Sequence, residues 1–146
     1  MDTHPIPRRY HWPTDYSYIP TVAAAPDLFG FAHNKKAARI CRVFSGTVLA
    51  SSLFTRAEWG IFKLLPYKAH VALDFGSGIA ALAMPWLAGF ANDRRARNTF
   101  LAMGAVGITV GLLSGVFSQP EEMPLPASSA DEAVIPGGTE YTSSAQ

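Results

Sequence analysis

Cysteine and net charge are both scarce in this sequence. Cys41 is the one cysteine among 146 residues, so the chain cannot form an intramolecular disulfide or a zinc site built on cysteines. Twelve lysines and arginines are nearly balanced by eleven acids, which gives a net charge of +1. With no large basic surface to expect, we predict no binding to nucleic acid.

The familiar catalytic motifs are also missing. The sequence has no glycine-rich phosphate-binding loop, no His-Glu-x-x-His and no Gly-x-Ser-x-Gly. Ser77 has a glycine on each side, but the nearest base, His70, lies roughly 10 Å away along a helix. Because a serine nucleophile needs its base within about 3 Å, we predict that the chain is not an enzyme.

Charge is absent from one long stretch of the chain. Residues 98–119 form a run of twenty-two residues without a charged side chain. As a helix this run would be roughly 33 Å long, enough to cross a bilayer core of roughly 30 Å. The run therefore predicts a transmembrane helix.

Two further apolar segments are predicted to form transmembrane helices as well. The predicted fold is therefore an all-α integral membrane protein with three transmembrane helices. The polar, proline-bearing residues 1–36 are predicted to form an extended N-terminal arm, and the acidic residues 120–146 an extended C-terminal tail. Between them, residues 37–119 form the membrane domain. The three helices are expected at about residues 37–55, 67–90 and 98–117.

The positions of lysine and arginine predict how the helices are oriented. Nine basic residues are expected on the N-terminal side of the membrane and three on the other. We therefore expect the N-terminus in the cytoplasm and the C-terminus outside. The nine are Arg8, Arg9, Lys35, Lys36, Arg39, Arg42, Arg94, Arg95 and Arg97, and the three are Arg56, Lys63 and Lys68.

Glycines recur on or near one face of the third predicted helix. Such a stripe lets the backbone of another helix approach closely, which favours helix association in a membrane. A patch of small residues on the second predicted helix is the expected receiving surface. The stripe comprises Gly104, Gly107, Gly111 and Gly115, and the patch is centred on Gly76, Ser77 and Gly78.

His70 and Asp74 stand one turn apart near the start of the second predicted helix. Ionisable groups within a membrane span are costly and indicate a function. Three interpretations remain open: a hydrogen-bonded pair that fixes the helix to its neighbours, a proton relay, or a cofactor ligand. In the last, His70 would bind haem iron or chlorophyll magnesium while Asp74 orients the ring.

The N-terminal arm carries aromatic residues that are typical of protein interfaces. Tyr10, Trp12, Tyr16 and Tyr18 are the candidates for docking on a partner. The alternative is a disordered tail with incidental aromatics.

Residues 39–117 resemble the SPW-repeat family of small bacterial membrane proteins. The likeness centres on the Pro-Trp pair at 85 and 86, with Met84 in place of the motif serine. It implies a compact helical domain in a bacterial inner membrane and supplies no activity. The other matching positions are Glu58, Gly60, Pro66, His70, Asp74, Gly78 and Phe90.

These features predict a non-catalytic accessory subunit that stabilises a larger membrane complex. Its partners would be the lipid bilayer and other membrane subunits, and a photosynthetic or respiratory energy-converting assembly is a natural host. No cofactor is required by the sequence. The first alternative is a pigment- or haem-binding membrane protein that uses His70, and the second is a small oligomeric transporter or channel.

Overall fold

The computed structural model describes residues 5–117, which fold into four α-helices with no strand. The all-α prediction is confirmed, whereas the prediction of three helices is wrong. The three predicted helices correspond to α2, α3 and α4, and the additional helix precedes them. The helices are α1 (Arg8–Leu28), α2 (Lys35–Phe54), α3 (Tyr67–Leu87) and α4 (Arg94–Leu113).

Helix α1 lies where the extended N-terminal arm was expected, in spite of three prolines inside it. A proline removes one backbone donor and leaves the carbonyl four residues earlier without its partner. At Pro26 the freed carbonyl is that of Val22, and the Cys41 thiol of α2 donates to it at 3.2 Å. Ser45 of α2 also donates to the carbonyl of Ile19, at 2.8 Å. Packing on α2 therefore outweighs the proline penalty, which the local sequence could not reveal.

Helices α2 and α4 begin at side-chain caps that are bonded to each other. Asn34 accepts a hydrogen bond from the backbone N–H of Ala37, and Asp93 accepts from those of Arg95 and Ala96. The Asn34 amide also donates to Asp93, at 3.1 Å. Burial acts to raise the pKa of Asp93, but its hydrogen bonds from Asn34 and the backbone hold it below its ordinary value.

The four helices form two hairpins, since α1 packs mainly on α2 and α3 mainly on α4. The α3–α4 contact is close because glycines meet across it. A Cβ atom at Gly78 would lie 2.7 Å from the backbone nitrogen of Ile108, and one at Gly107 would lie 3.1 Å from the Gly78 Cα. These helices touch through their backbones, as small residues allow.

The two hairpins repeat each other at an offset of 59 positions, as from residue 11 to residue 70. Gly30 and Gly89 are one such pair: both have positive φ and end a helix in the same way. Contacts between the hairpins are also reciprocal, since Lys36 donates to the carbonyl of Ala88 while Arg95 donates to that of Gly30. Reciprocity of this kind marks an approximate twofold relation. Identical pairs include Pro7/Pro66, His11/His70, Asp15/Asp74, Pro26/Pro85, Gly30/Gly89, Phe31/Phe90 and Ala37/Ala96.

Large apolar side chains cover the outside of the bundle, while several polar ones are buried. Leu73, Ile79 and Leu112 are between 47% and 49% exposed, whereas His11 and His70 are at most 2% exposed. Judged on length and composition alone, α4 is the one helix within residues 5–117 that could cross a membrane. The prediction of three membrane spans stays a prediction.

Both ends of the described chain lie at one end of the bundle. The backbone N–H of Ile6, just before α1, donates to the carbonyl of Leu113 at the end of α4, at 3.2 Å. An even number of antiparallel helices produces this arrangement. The predicted orientation, with the N-terminus in the cytoplasm and the C-terminus outside, stays a prediction. The predicted tail at 120–146 lies outside the described residues.

Candidate functional site

Two histidines and two aspartates meet inside the bundle, near the starts of α1 and α3. His11 and Asp15 stand one turn apart on α1, and His70 and Asp74 stand one turn apart on α3. Residues four apart share a helix face, so each helix presents one imidazole and one carboxylate to the other. At most 9% of each residue is exposed. We call these four residues the His/Asp cluster.

The histidine nitrogens and the carboxylate oxygens alternate around a closed ring. His11 Nε2 lies 3.0 Å from Asp74 Oδ2 and 3.6 Å from Asp15 Oδ1. His70 Nε2 lies 2.8 Å from Asp15 Oδ2 and 3.1 Å from Asp74 Oδ2. Each histidine therefore contacts the aspartate of its own helix and that of the other helix, which joins the two hairpins at their repeat-equivalent residues.

Hydroxyl groups from the ends of α2 and α4 surround the cluster. Ser114 Oγ lies 2.6 Å from His11 Nδ1, which turns Nε2 of that ring towards the carboxylates. Ser52 donates to Asp15 Oδ2 at 3.4 Å. The two histidines differ here: Thr55, the repeat equivalent of Ser114, donates to the Ser51 carbonyl instead, and His70 Nδ1 has no hydrogen-bond partner within residues 5–117.

Aromatic residues of the predicted docking arm pack against this end of the same chain. The Trp12 ring stacks on Trp59 of the α2–α3 connector with ring centroids 3.7 Å apart, and the Tyr16 hydroxyl donates to the Trp59 carbonyl at 3.3 Å. Tyr18 packs against the core and Tyr10 is 58% exposed. Trp12, Tyr16 and Tyr18, three of the four predicted docking residues, thus contact their own chain.

The predicted glycine contact lies within the chain, between α3 and α4. A Cβ atom at Gly104 would meet Leu82, and one at Gly111 would lie 2.9 Å from the Phe75 Cβ. Gly76 differs, because a Cβ atom there would meet nothing within 4 Å. Gly107 and Gly78 belong to the close contact, Ser77 lines the grooves beside α3, and Gly115 has a positive φ after the end of α4.

The surroundings of His70 give little support to its predicted role as a haem or chlorophyll ligand. Its Nε2 faces Asp15 and Asp74, and the cavity beside it measures about 10 Å³, room for little more than one water molecule. Pockets for organic ligands usually measure roughly 300–1,000 Å³. The other predicted arrangement, a hydrogen-bonded His70–Asp74 pair that fixes the helix to its neighbours, matches the 3.1 Å contact between them.

His11 and Asp15 are the site residues that the sequence reasoning missed. The sequence analysis predicts an extended arm over residues 1–36, and in an extended chain residues four apart do not share a helix face. The signal that identifies them is the repeated His-x-x-x-Asp, which occurs at 11–15 and again at 70–74. Two further patterns repeat at the same offset: Pro-x-Leu at 26–28 and 85–87, and Gly-Phe-Ala at 30–32 and 89–91. Together the three repeats identify His11 and Asp15 as the counterparts of His70 and Asp74.

Comparison of the chain with protein-family models, with curated proteins and with solved structures finds no match.

Proposed function

We propose that this chain is a non-catalytic structural subunit of a membrane assembly, embedded in the bilayer as a four-helix bundle. The distribution of side chains between the inside and the outside of the bundle carries this proposal. A water-soluble bundle buries its large apolar residues, whereas here many of them face outwards and imidazole, carboxylate and hydroxyl groups lie inside. Lipid tails are the environment that accommodates such a surface.

The charges at the two ends of the bundle support an orientation. Seven basic residues lie in or near the first turns of α2 and α4 and five lie towards the opposite end. By the positive-inside rule the first end faces the cytoplasm of a bacterial inner membrane, so both ends of the described chain face outwards. The seven are Lys35, Lys36, Arg39, Arg42, Arg94, Arg95 and Arg97, and the five are Arg8, Arg9, Arg56, Lys63 and Lys68.

A groove between α2 and α3 is the surface we assign to another membrane subunit. It is lined by Val43 and Thr47 from α2 and by Leu73, Gly76 and Ala80 from α3. At Gly76 the backbone is open to close approach, since a Cβ atom there would meet nothing within 4 Å. Small residues at such a surface are what a neighbouring membrane helix packs on.

The resemblance of residues 39–117 to the SPW-repeat family agrees with this proposal. The internal repeat extends it, because Ala25-Pro26-Asp27 in the first hairpin stands at the positions of Met84-Pro85-Trp86 in the second. We propose that the family likeness covers both hairpins.

Two measurements test the proposal. Extraction of membranes with alkaline carbonate should leave the protein in the pellet, and release into the supernatant would refute membrane insertion. Gly76→Leu should then reduce by several-fold the amount of partner that co-purifies in mild detergent. Gly46→Leu is the matched control, because a Cβ atom at Gly46 of α2 also meets nothing within 4 Å and Gly46 does not line the groove.

Equal co-purification with both variants would show that the groove is not an interface. If no protein co-purifies with the unaltered chain at native abundance, the subunit proposal fails while membrane insertion can still hold.

A further inference from the structure

We propose that the His/Asp cluster binds one divalent transition-metal ion of the zinc class, which links the two hairpins. The proposal does not depend on the membrane location, because it rests on the arrangement of His11, Asp15, His70 and Asp74 inside the bundle. Each hairpin would supply one imidazole nitrogen and one carboxylate oxygen, so the complete set of four ligands exists only where the two halves meet.

The spacing of the donor atoms suits an ion of this size. One ligand atom from each of the four residues can be chosen so that all lie within 4.8 Å of one another. The sides of the His–Asp ring measure 2.8, 3.0, 3.1 and 3.6 Å. Zinc sites are tetrahedral, and with bonds of roughly 2.0–2.2 Å to nitrogen and oxygen the ligand atoms lie about 3.3–3.6 Å apart, which is close to these separations. Shifts of a few tenths of an ångström would place the ligands for coordination.

Charge balance favours a divalent ion at this site. Two ionised carboxylates buried inside a protein carry two negative charges that are costly without compensation. A bound divalent cation neutralises both of them and leaves the two histidines as neutral ligands. Arg8, three residues before His11, pairs with Glu58 at 3.0 Å.

The groups behind the ligands are those that metal sites usually contain. A metal-bound histidine commonly uses its other ring nitrogen to hydrogen-bond an oxygen, which fixes the tautomer and the ring orientation. His11 has this arrangement, with Nδ1 2.6 Å from Ser114 Oγ. His70 Nε2 also faces both carboxylates, and its ring is 2% exposed. Both rings therefore present Nε2 to the same point.

The kinds of ligand limit the choice of ion. Two imidazoles with two carboxylates match Zn²⁺ and ions with similar preferences, whereas Ca²⁺ and Mg²⁺ take six or more ligands that are nearly all oxygen. The cluster contains no thiolate, which a site for Cu⁺ would favour. Zn²⁺ is the ion to which we commit, and Co²⁺ is its spectroscopic substitute.

The test uses the full chain in detergent, stripped with a chelator and then titrated with Zn²⁺ or Co²⁺. We expect one equivalent of metal per chain by elemental analysis, visible Co²⁺ absorption bands and a higher melting temperature in the presence of metal. Asp74→Asn keeps the shape of the side chain and removes its charge, and it should weaken binding by at least about 100-fold. His33→Ala is the matched control, because the His33 side chain is 71% exposed at the opposite end of the bundle, and it should bind as the unaltered chain does.

Ser114→Ala provides a second test of metal binding if Asp74→Asn does not fold. Loss of a group behind a metal ligand typically lowers affinity by about 10–100-fold, and the Co²⁺ bands should persist in this variant. Less than about 0.2 equivalents of metal on the unaltered chain, or unchanged affinity in Asp74→Asn, would overturn the proposal. The cluster would then be a set of hydrogen bonds between the two histidines and the two aspartates that joins the hairpins. Carbonate extraction reports on membrane insertion separately from any of these results.

Discussion

A single methyl group added at Gly78 should separate α3 from α4. In Gly78→Ala the new Cβ would lie 2.7 Å from the backbone nitrogen of Ile108 and 3.0 Å from the carbonyl oxygen of Gly104. Both are backbone atoms, so a rotamer change cannot relieve the overlap and the two helices must move apart. Overpacking of this kind costs roughly 1–3 kcal/mol.

The matched substitution lies two residues earlier in the same helix. A Cβ at Gly76 meets no atom within 4 Å, so Gly76→Ala adds no overlap. Replacing glycine by alanine within a helix stabilises it by roughly 0.5–1 kcal/mol. The same gain applies at Gly78 and cancels when the two variants are compared, so we expect their free energies of unfolding to differ by the overpacking cost alone, about 1–3 kcal/mol.

Thermal unfolding in one detergent, followed by circular dichroism, measures this difference. For a domain of this size, 1 kcal/mol corresponds to a shift of roughly 3–6 °C in melting temperature. Gly78→Ala should melt well below Gly76→Ala, and the unaltered chain should lie between them. Equal melting temperatures for the two alanine variants would refute the close backbone contact between α3 and α4.

Two further predictions concern the ends of the bundle. Asp93→Ala removes the cap of α4 and the bond to Asn34, and should cost about 1–2 kcal/mol by thermal unfolding; no loss of stability would contradict the linked caps. The pKa of Asp93 is lowered in the folded chain. The stability that Asp93 contributes is therefore complete above the ordinary aspartate pKa of about 4 and is lost as the pH falls through the lowered pKa. Acid unfolding of the unaltered chain and of Asp93→Ala, measured side by side, tests this pH dependence. Trp59→Ala removes the ring that stacks on Trp12, and should speed proteolytic cleavage near the start of α1 while the rest of the bundle stays resistant; unchanged cleavage would contradict docking of α1 through this stack.

The sequence reasoning located three of the four helices because their patterns are local. These patterns are the uncharged stretches of sequence, Pro66 just before α3 and the uncharged run that begins at residue 98. Each can be recognised without knowing what the helix packs against. Helix α1 was missed because its stability comes from α2. Three internal prolines argue against a helix, and the thiol of Cys41, which offsets one of them, is fifteen positions beyond Pro26 in the chain.

Half of the candidate site could be predicted because its two residues lie within a helix that the local sequence pattern indicates. The pair His70 and Asp74 was visible within a predicted helix, since a spacing of four has meaning there. His11 and Asp15 have the same spacing, but an extended chain would place their side chains apart. A comparison of the two halves of the sequence at an offset of 59 would have supplied the missing helix and the missing ligands together.

Fusion of two similar hairpins into one chain has a consequence for the two central histidines. Two identical chains that form a symmetric dimer must give equivalent residues equivalent neighbours. In a single chain each half can change independently of the other. Here Ser114 contacts His11, whereas its counterpart Thr55 bonds to the Ser51 carbonyl and His70 Nδ1 has no hydrogen-bond partner among the residues that the structure describes. The two imidazoles of one cluster therefore have different neighbours, and a substitution can alter the surroundings of one without altering those of the other.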